Sequence, residues 1–294
     1  MRIIDFLADP AMRAIYLPGT LAGLCTVVMC GLVSPLVVVK RLGFIGQGIS
    51  HSAFGGVGVA AMLAAMGLIA IGGAAEFGVI AAFCIAAALG MGLLADRKRT
   101  PEDTTIGLFL VGSMAAGALL VALARDRAFA SGRAPDARSW ESILFGSVMN
   151  AGDTEVVLAA IVLVAAVAAV LALRRPLLFW AFDEDAARAS GVPTRLIRAA
   201  LMVLLALIVV TAMRIAGVVL ASALLVLPGA TALKLSARLV PVTLLSIALA
   251  ILALLTGLAL SVQQNLQPGP CVVLVMAAMF GVALAANTRL VRHK

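Results

Sequence analysis

Apolar residues run along this chain in long unbroken stretches, and polar residues gather in short clusters between them. A helix that crosses a membrane needs about 20 mostly apolar residues, because the hydrocarbon core is about 30 Å thick and each residue rises about 1.5 Å. On that measure the pattern predicts spans near residues 15–39, 52–72, 76–95, 104–124, 155–173, 196–214, 240–262 and 270–287. A shorter element covers about 215–233. Pro228 and Gly229 fall inside it and predict an interruption of the helix between Ser222 and Ala232. Irregular backbone at membrane depth persists only where protein shields it or where it lines a wet cavity, so this element is expected in the interior. The expected fold class is all-α, a polytopic transmembrane helical bundle of 8–9 spans forming a single domain over residues 1–294.

Composition agrees with the pattern. Of 294 residues, 63% are hydrophobic and 12% charged, with a mean hydropathy of +1.15, whereas soluble domains are about half apolar and a quarter charged. The first thirteen residues carry Arg2, Asp5, Asp9 and Arg13 and no cleavage site after a short apolar core, so they read as an interfacial lead-in rather than a removable signal.

The formal net charge of +8 does not point to nucleic acid, because the basic residues sit at span ends rather than on one aromatic-studded face. They cluster at Lys40 and Arg41, at Arg97 to Arg99, at Arg174, Arg175, Arg188, Arg195 and Arg198, at Lys234 and Arg238, and at Arg289, Arg292 and Lys294. Basic residues accumulate in short cytoplasmic loops. All these clusters fall on that side if the N-terminus is outside and the element at 215–233 crosses fully, which leaves the loop 125–154 outside.

Cys25, Cys30, Cys84 and Cys271 lie apart in apolar runs without a CxxC and read as small buried hydrophobes. No Gly-rich loop ending in Gly-Lys-Ser or Gly-Lys-Thr is present; GATALKLS at 229–236 lacks the second glycine. HExxH and GxSxG are absent too. Any ATP hydrolysis linked to this chain therefore belongs to another polypeptide.

Two segments carry chemistry. FDEDAARASGVPTRLIR, 182–198, starts with Asp183, Glu184 and Asp185, which suit the positive end of a helix dipole. It passes Arg188 and stops at Gly191 and Pro193. A short surface helix is expected, either a solvated connector or a piece gripped by a cytoplasmic motor. GFIGQGISHSAFGG, 43–56, holds one of two histidines in the chain. Gln47 and His51 are four residues apart and share a face in a helix. Ionisable groups inside a bilayer usually face a cavity or a partner, and neutral imidazole is a good ligand for first-row metal ions. The competing role for His51 is structural, a hydrogen bond to a backbone carbonyl or to Ser50. Ser50 and Ser52, beside the pair, and Ser222 and Pro228 in the shorter element, are the further path or gate candidates. Met114, Met149 and Asn150 are weaker ones, Arg214 either snorkels to an interface or braces the break before Gly217, and Glu76 reads as a loop residue. Gly55, Gly56 and Gly58 predict close helix approach, and His293 reads as a solvated tail residue.

The chain resembles the membrane permease subunits of bacterial metal-ion ABC importers, which move zinc, manganese or iron. The stretches that carry the resemblance run in order: GFIGQGISHSAFGG, EDTTIGLFLVGSMAAG at 102–117, SWESILFGSV at 139–148, FDEDAARASGVP, RIAGVVLASALLVLPGATA at 214–232 and LQPGPCVVLV at 266–275. The resemblance implies a type II-like importer fold in the bacterial inner membrane. It also implies a partner set: a second permease copy in a homodimer or related heterodimer, two cytoplasmic ABC ATPases that bind ATP, and an extracytoplasmic metal-binding protein. No cofactor is bound permanently; a divalent metal ion is the cargo. Residues 182–193, with Asp183, Glu184, Asp185, Arg188 and Gly191, become the coupling helix that docks on the ATPase. His51 and Gln47 become transient metal ligands along the path. The family has Asp where this chain has Gln47, so one anionic oxygen is missing.

Two other readings stand beside this one. A permease for chelated metals, siderophore-like or cobalamin-like, uses related folds but is usually longer with more spans. A self-sufficient ion-coupled carrier generally places paired charges inside the membrane, and Asp and Glu are nearly absent from these spans. An intramembrane enzyme finds no nucleophile and base pair here.

Overall fold

The structure is a computed structural model, which describes residues 10–95, 101–131, 146, 148, 151–236 and 238–292. Among the described residues the regular elements are ten helices: α1 (Pro10–Val39), α2 (Gly43–Ala65), α3 (Ala74–Ala95), α4 (Glu102–Ala130), α5 (Asp153–Ala172), α6 (Arg174–Phe182), α7 (Glu184–Ala189), α8 (Thr194–Leu235), α9 (Leu239–Gln264) and α10 (Pro268–Arg292). Eight of them are long and apolar enough to cross a membrane. The chain divides into two compact units. The first holds α1, α5, α6, the later part of α8, α9 and α10; the second holds α2, α3, α4 and α8 up to residue 210; α7 lies at the boundary.

In the first unit α1 packs along both α5 and α9, and α9 along α10. Small residues set these distances, as expected where lipid removes the hydrophobic drive between helices and only close packing remains. A Cβ on Gly31 of α1 would lie 3.0 Å from the Ile247 Cα of α9, and one on Gly257 of α9 would lie 2.6 Å from the Val272 Cα of α10. Cys30 and Cys271 are buried in this unit as free thiols.

The second unit repeats the device around α2. A Cβ on Gly58 would meet Gly117 Cα of α4 at 2.8 Å, one on Gly56 would meet Ile80 Cα of α3 at 3.0 Å, and one on Gly48 would meet the Met91 sulfur at 3.0 Å. Glu76 is not in a loop: it sits in the first turn of α3, 1% exposed, and its Oε2 accepts the Gly72 N–H at 2.6 Å.

The second span is displaced from its expected place. It covers Gly43–Ala65 rather than 52–72, so GFIGQGISHSAFGG lies wholly within a helix. Only a three-residue turn separates it from α1, with Arg41 left-handed (φ 57) and Leu42 N–H donating to Val37 O at 2.8 Å. Glycine costs a helix about 1 kcal/mol per residue relative to alanine, which is why the segment reads as a turn. Here contacts that only glycine permits compensate for that cost.

Of the two breaks expected along α8, the one before Gly217 forms and the one at Pro228 and Gly229 does not. Helical geometry continues through Pro228 and fails at Gly217, whose φ of 80 and ψ of 165 suit only a residue without Cβ. Gly146, itself at φ 58, lies against Ala216 and Gly217 so closely that a Cβ there would overlap their backbone. At Pro228 the helix survives because α1 supplies what the proline disrupts. Ser34 Oγ accepts the Gly229 N–H at 2.8 Å, and a Cβ on Gly229 would lie 2.7 Å from the Pro35 nitrogen.

Candidate functional site

The polar face of α2 is built by selective covering. Between residues 44 and 58, all but Phe44, Gln47 and His51 are buried, a spacing of three and four that aligns those three on one side of the helix. The same line continues through Gly55 and Gly58, which are closed off: a Cβ on Gly55 would lie 2.6 Å from the Phe83 ring and 3.3 Å from Ser113 O. The stripe therefore opens at the Gly43 end of α2 and stops above His51. The His51 ring lies near-parallel to Phe54, centroids 6.1 Å apart, and its Nδ1 is buried without a hydrogen-bond partner.

The two serines beside it turn inward. Ser50 Oγ donates to Gly46 O at 2.9 Å, one turn back on its own helix. Ser113 Oγ of α4 donates to Phe109 O and lies 3.3 Å from Ser52 Oγ, whose hydroxyl can donate to it. Both Ser50 and Ser52 are fully buried. The structural alternative for His51, a bond with Ser50, is not formed at Nδ1.

Ser222 and Pro228 lie on the later part of α8, in the first unit. Ser222 is half-exposed and donates to Val219 O at 2.9 Å; Pro228 is buried. The sequence pattern did not pair Arg214 with Glu155. Arg214 Nη2 donates to Glu155 Oε1 at 3.2 Å, and Glu155 Oε2 accepts the Gly152 N–H at 3.0 Å. One carboxylate thus caps α5 and ties down the residues just before the Gly217 break. From there α8 runs to the Ser34 end of α1, with Gly43 beside Val226. Lys40, at that same end of α1, reaches α6 and α7, which follow the last turn of α5, so this length of α8 spans the unit from end to end.

The acidic loop forms one short helix, α7, and a second, α6, leads into it. α6 buries Leu177, Trp180 and Ala181. Asp183 separates it from α7, its Oδ1 accepting the Ala186 N–H at 2.8 Å. α7 ends in a left-handed Gly191 (φ 80), with Gly191 N–H donating to Arg188 O and Val192 N–H to Ala187 O, the double bond pattern by which glycine closes a helix. Asp183, Asp185, Arg188 and Gly191 are exposed, and Phe182 beside them is 66% exposed. Glu184 is different: Lys40 Nζ lies 3.3 Å from its Oε2 and 4.0 Å over the Trp180 ring. Lys40 is a contact residue that sequence reading placed only among topological charges; a lysine ending a span opposite a tryptophan and an acid was the available signal.

Met114 on α4 is 36% exposed; Met149, Asn150 and His293 lie outside the described residues. Among the described residues, no three His, Cys, Asp or Glu side chains gather where they could hold a metal ion.

With this geometry in view, the comparisons are specific. The model of the ABC 3 transport family matches residues 12–287. The chain is 31% identical over 283 residues to the "Probable iron transport system membrane protein" of Haemophilus influenzae, covering 96% of this chain and 97% of that one. It is 30% identical over 284 residues to the manganese transport system membrane protein MntC of Halalkalibacterium halodurans, covering 96% and 91%. Among solved structures, it superposes on a chain of PsaBC from Streptococcus pneumoniae in complex with Fab, with a TM-score of 0.77, 25% identity and coverage of 96% and 93%. The chain belongs to the ABC 3 transport family and is a multi-pass membrane protein.

Proposed function

We propose that this ABC 3 family member is the permease subunit of an ATP-driven importer for a divalent transition-metal ion, in the class of zinc, manganese and iron. The names of its relatives support the cargo class. The observation that carries the reading is the Gln47 and His51 stripe, the one polar opening in the otherwise covered stretch 44–58 of α2. Imidazole binds first-row ions well, and the Gln47 amide one turn away offers a neutral oxygen. Two donors make a weak site, suited to passage rather than storage. A second copy of the chain, set against the stripe, doubles the donor set to four.

In this reading the acidic loop is the coupling element. Asp183, Asp185, Arg188 and Phe182 meet a cytoplasmic ABC ATPase, one on each permease copy, while Glu184 is already committed to Lys40. ATP binding and hydrolysis reside on those partners, and an extracytoplasmic protein delivers the ion. Rigid-body rocking between two states then alternates access. The chain lies in the bacterial inner membrane with its N-terminus outside.

The missing carboxylate at position 47 tunes the path. Unit charges 4 Å apart interact by about 1 kcal/mol in water and about 4 kcal/mol near a protein surface, so Gln47→Asp should tighten metal retention. The test is uptake of manganese, zinc and ferrous ions into vesicles holding the complex of permease, ATPase and binding protein. His51→Ala is expected to lower uptake at least tenfold in a complex that still assembles; unchanged uptake overturns the path assignment. Uphill uptake by vesicles holding the permease alone overturns the ABC reading.

A further inference from the structure

α1 ends on two neighbouring basic residues that behave differently. Arg41 is exposed, as a charge marking a membrane surface should be. Lys40 instead turns onto protein: its ammonium lies 4.0 Å over the ring of Trp180 on α6 and 3.3 Å from Oε2 of Glu184, the first residue of α7. Trp180 is buried, and the Lys40 and Glu184 side chains are only 16% and 30% exposed. A pair so sheltered lies between the surface and buried limits of ion-pair strength, and the aromatic face adds an attraction that does not need the carboxylate. Lys40 thus holds two consecutive elements at once. It stands 144 positions from Glu184 in the sequence, so the contact is a tertiary clasp and not a local helix pair.

Both ends of the clasp are stiff. On the α1 side, Lys40 N–H donates to Leu36 O at 3.0 Å and Arg41 N–H to Val38 O at 3.1 Å, and the bond from Leu42 to Val37 closes the turn. α2 starts at Gly43 with no slack chain between, and Gln47 and His51 follow within its first three turns. On the other side, Asp183 caps α7 and Gly191 closes it. Lys40 and Glu184 both belong to the first unit, and the chain passes into the second unit a few residues after each. Resting on the permease reading above, in which Asp183, Asp185 and Arg188 meet an ATPase, we propose that Lys40 is a positioning residue for transport. It fastens α7 to the start of α2, so that movement imposed on α7 is delivered to the Gln47 and His51 stripe. The charges of the acidic loop then divide: the exposed ones meet the partner, and Glu184, turned to Lys40, transmits.

The test measures ATP hydrolysis and ion uptake in the same vesicles, holding the complex of permease, ATPase and binding protein, and takes their ratio. The ion is manganese, zinc or ferrous ion, whichever the wild-type complex moves fastest. Lys40→Met keeps a long apolar stem and removes the charge. Its hydrolysis is expected to continue at the wild-type rate while ions moved per ATP fall about tenfold, within the usual range of coupling between sites. Lys40→Arg keeps the charge and stacks on an aromatic face, and is expected to stay coupled. Glu184→Gln leaves Lys40 over Trp180; it is expected to lower the ratio by a smaller factor, and it gives the reading if Lys40→Met does not assemble. An unchanged ratio in the assembled variant, whether both rates hold or both fall together, overturns the proposal and leaves Lys40 a stabilising contact only. A wild-type complex that hydrolyses ATP without moving any of the three ions overturns the permease reading instead, so the two failures are told apart.

Discussion

The helices α2 and α5 invert the rule learned from soluble proteins. α2 is the least apolar of the eight candidate spans, and 72% of its membrane-length window is buried; α5 is the most apolar, and 17% of its window is buried. In water, apolar surface is driven inward. In a bilayer the solvent is itself apolar, so a leucine gains nothing by leaving it, and the interior goes to residues that pack closely or need a polar partner. α2 brings five glycines and two serines inward and leaves Gln47 and His51 as its polar opening, whereas α5 presents Val157, Ile161 and Val164 outward.

That contrast can be broken most sharply at the α2 to α4 crossing. Gly117→Leu places carbon where the Phe54 carbonyl and Gly55 nitrogen already are, and should cost more than about 3 kcal/mol, the upper range of overpacking. Gly112→Leu on the same helix, with nothing within 4 Å of its would-be Cβ, should not destabilise and should gain up to about 1 kcal/mol of helix propensity. Thermal unfolding of both in detergent decides the matter; similar losses would show that the covered and open faces of α4 do not differ.

The next test concerns the one place where α5 carries fixed chemistry, its first turn. Glu155 and Arg214 are 21% and 17% exposed, between the buried and surface limits of ion-pair energetics. Either Glu155→Ala or Arg214→Ala is expected to cost about 2 kcal/mol. The double variant should cost less than the sum of the singles, a coupling that a double-mutant cycle measures directly. A smaller effect, about 1 kcal/mol, is expected for Ser34→Ala, which leaves the Gly229 N–H without its acceptor. Val164→Ala, 68% exposed on the outer side of α5, should be nearly silent.

The lengths and order of the spans were legible because hydrocarbon thickness writes itself into apolar run length. What hydropathy does not carry is which spans face lipid, since α5 and α8 are both strongly apolar and differ in burial, 17% against 78%. Two local misreadings share one cause. Gly43, Gly46 and Gly48 read as turn, and Pro228 with Gly229 read as a break, because propensity is a property of one strand of chain. The compensating atoms, Met91, Ile106 and Ser34, come from elsewhere in the sequence. α6 was passed over as connector because Arg174, Arg175 and Pro176 begin it, although proline near a helix start is permitted and Leu177, Trp180 and Ala181 mark a buried face. At the candidate path, the spacing of Gln47 and His51 was readable, but the inward turn of Ser50 and Ser52 depends on Gly46 and Ser113 and was not.

Gly217 has a consequence for how the polypeptide is made. The residues from Thr194 to Leu235 number 42, about 63 Å if drawn as one straight helix, roughly twice what the bilayer can hold. A ribosome delivering this segment hands the insertion machinery a single greasy ribbon with no charged punctuation after Arg214 until Lys234. The break in that ribbon falls at Gly217, where the backbone admits no side chain. Threading during biogenesis therefore hinges on one hydrogen atom in place of a methyl group.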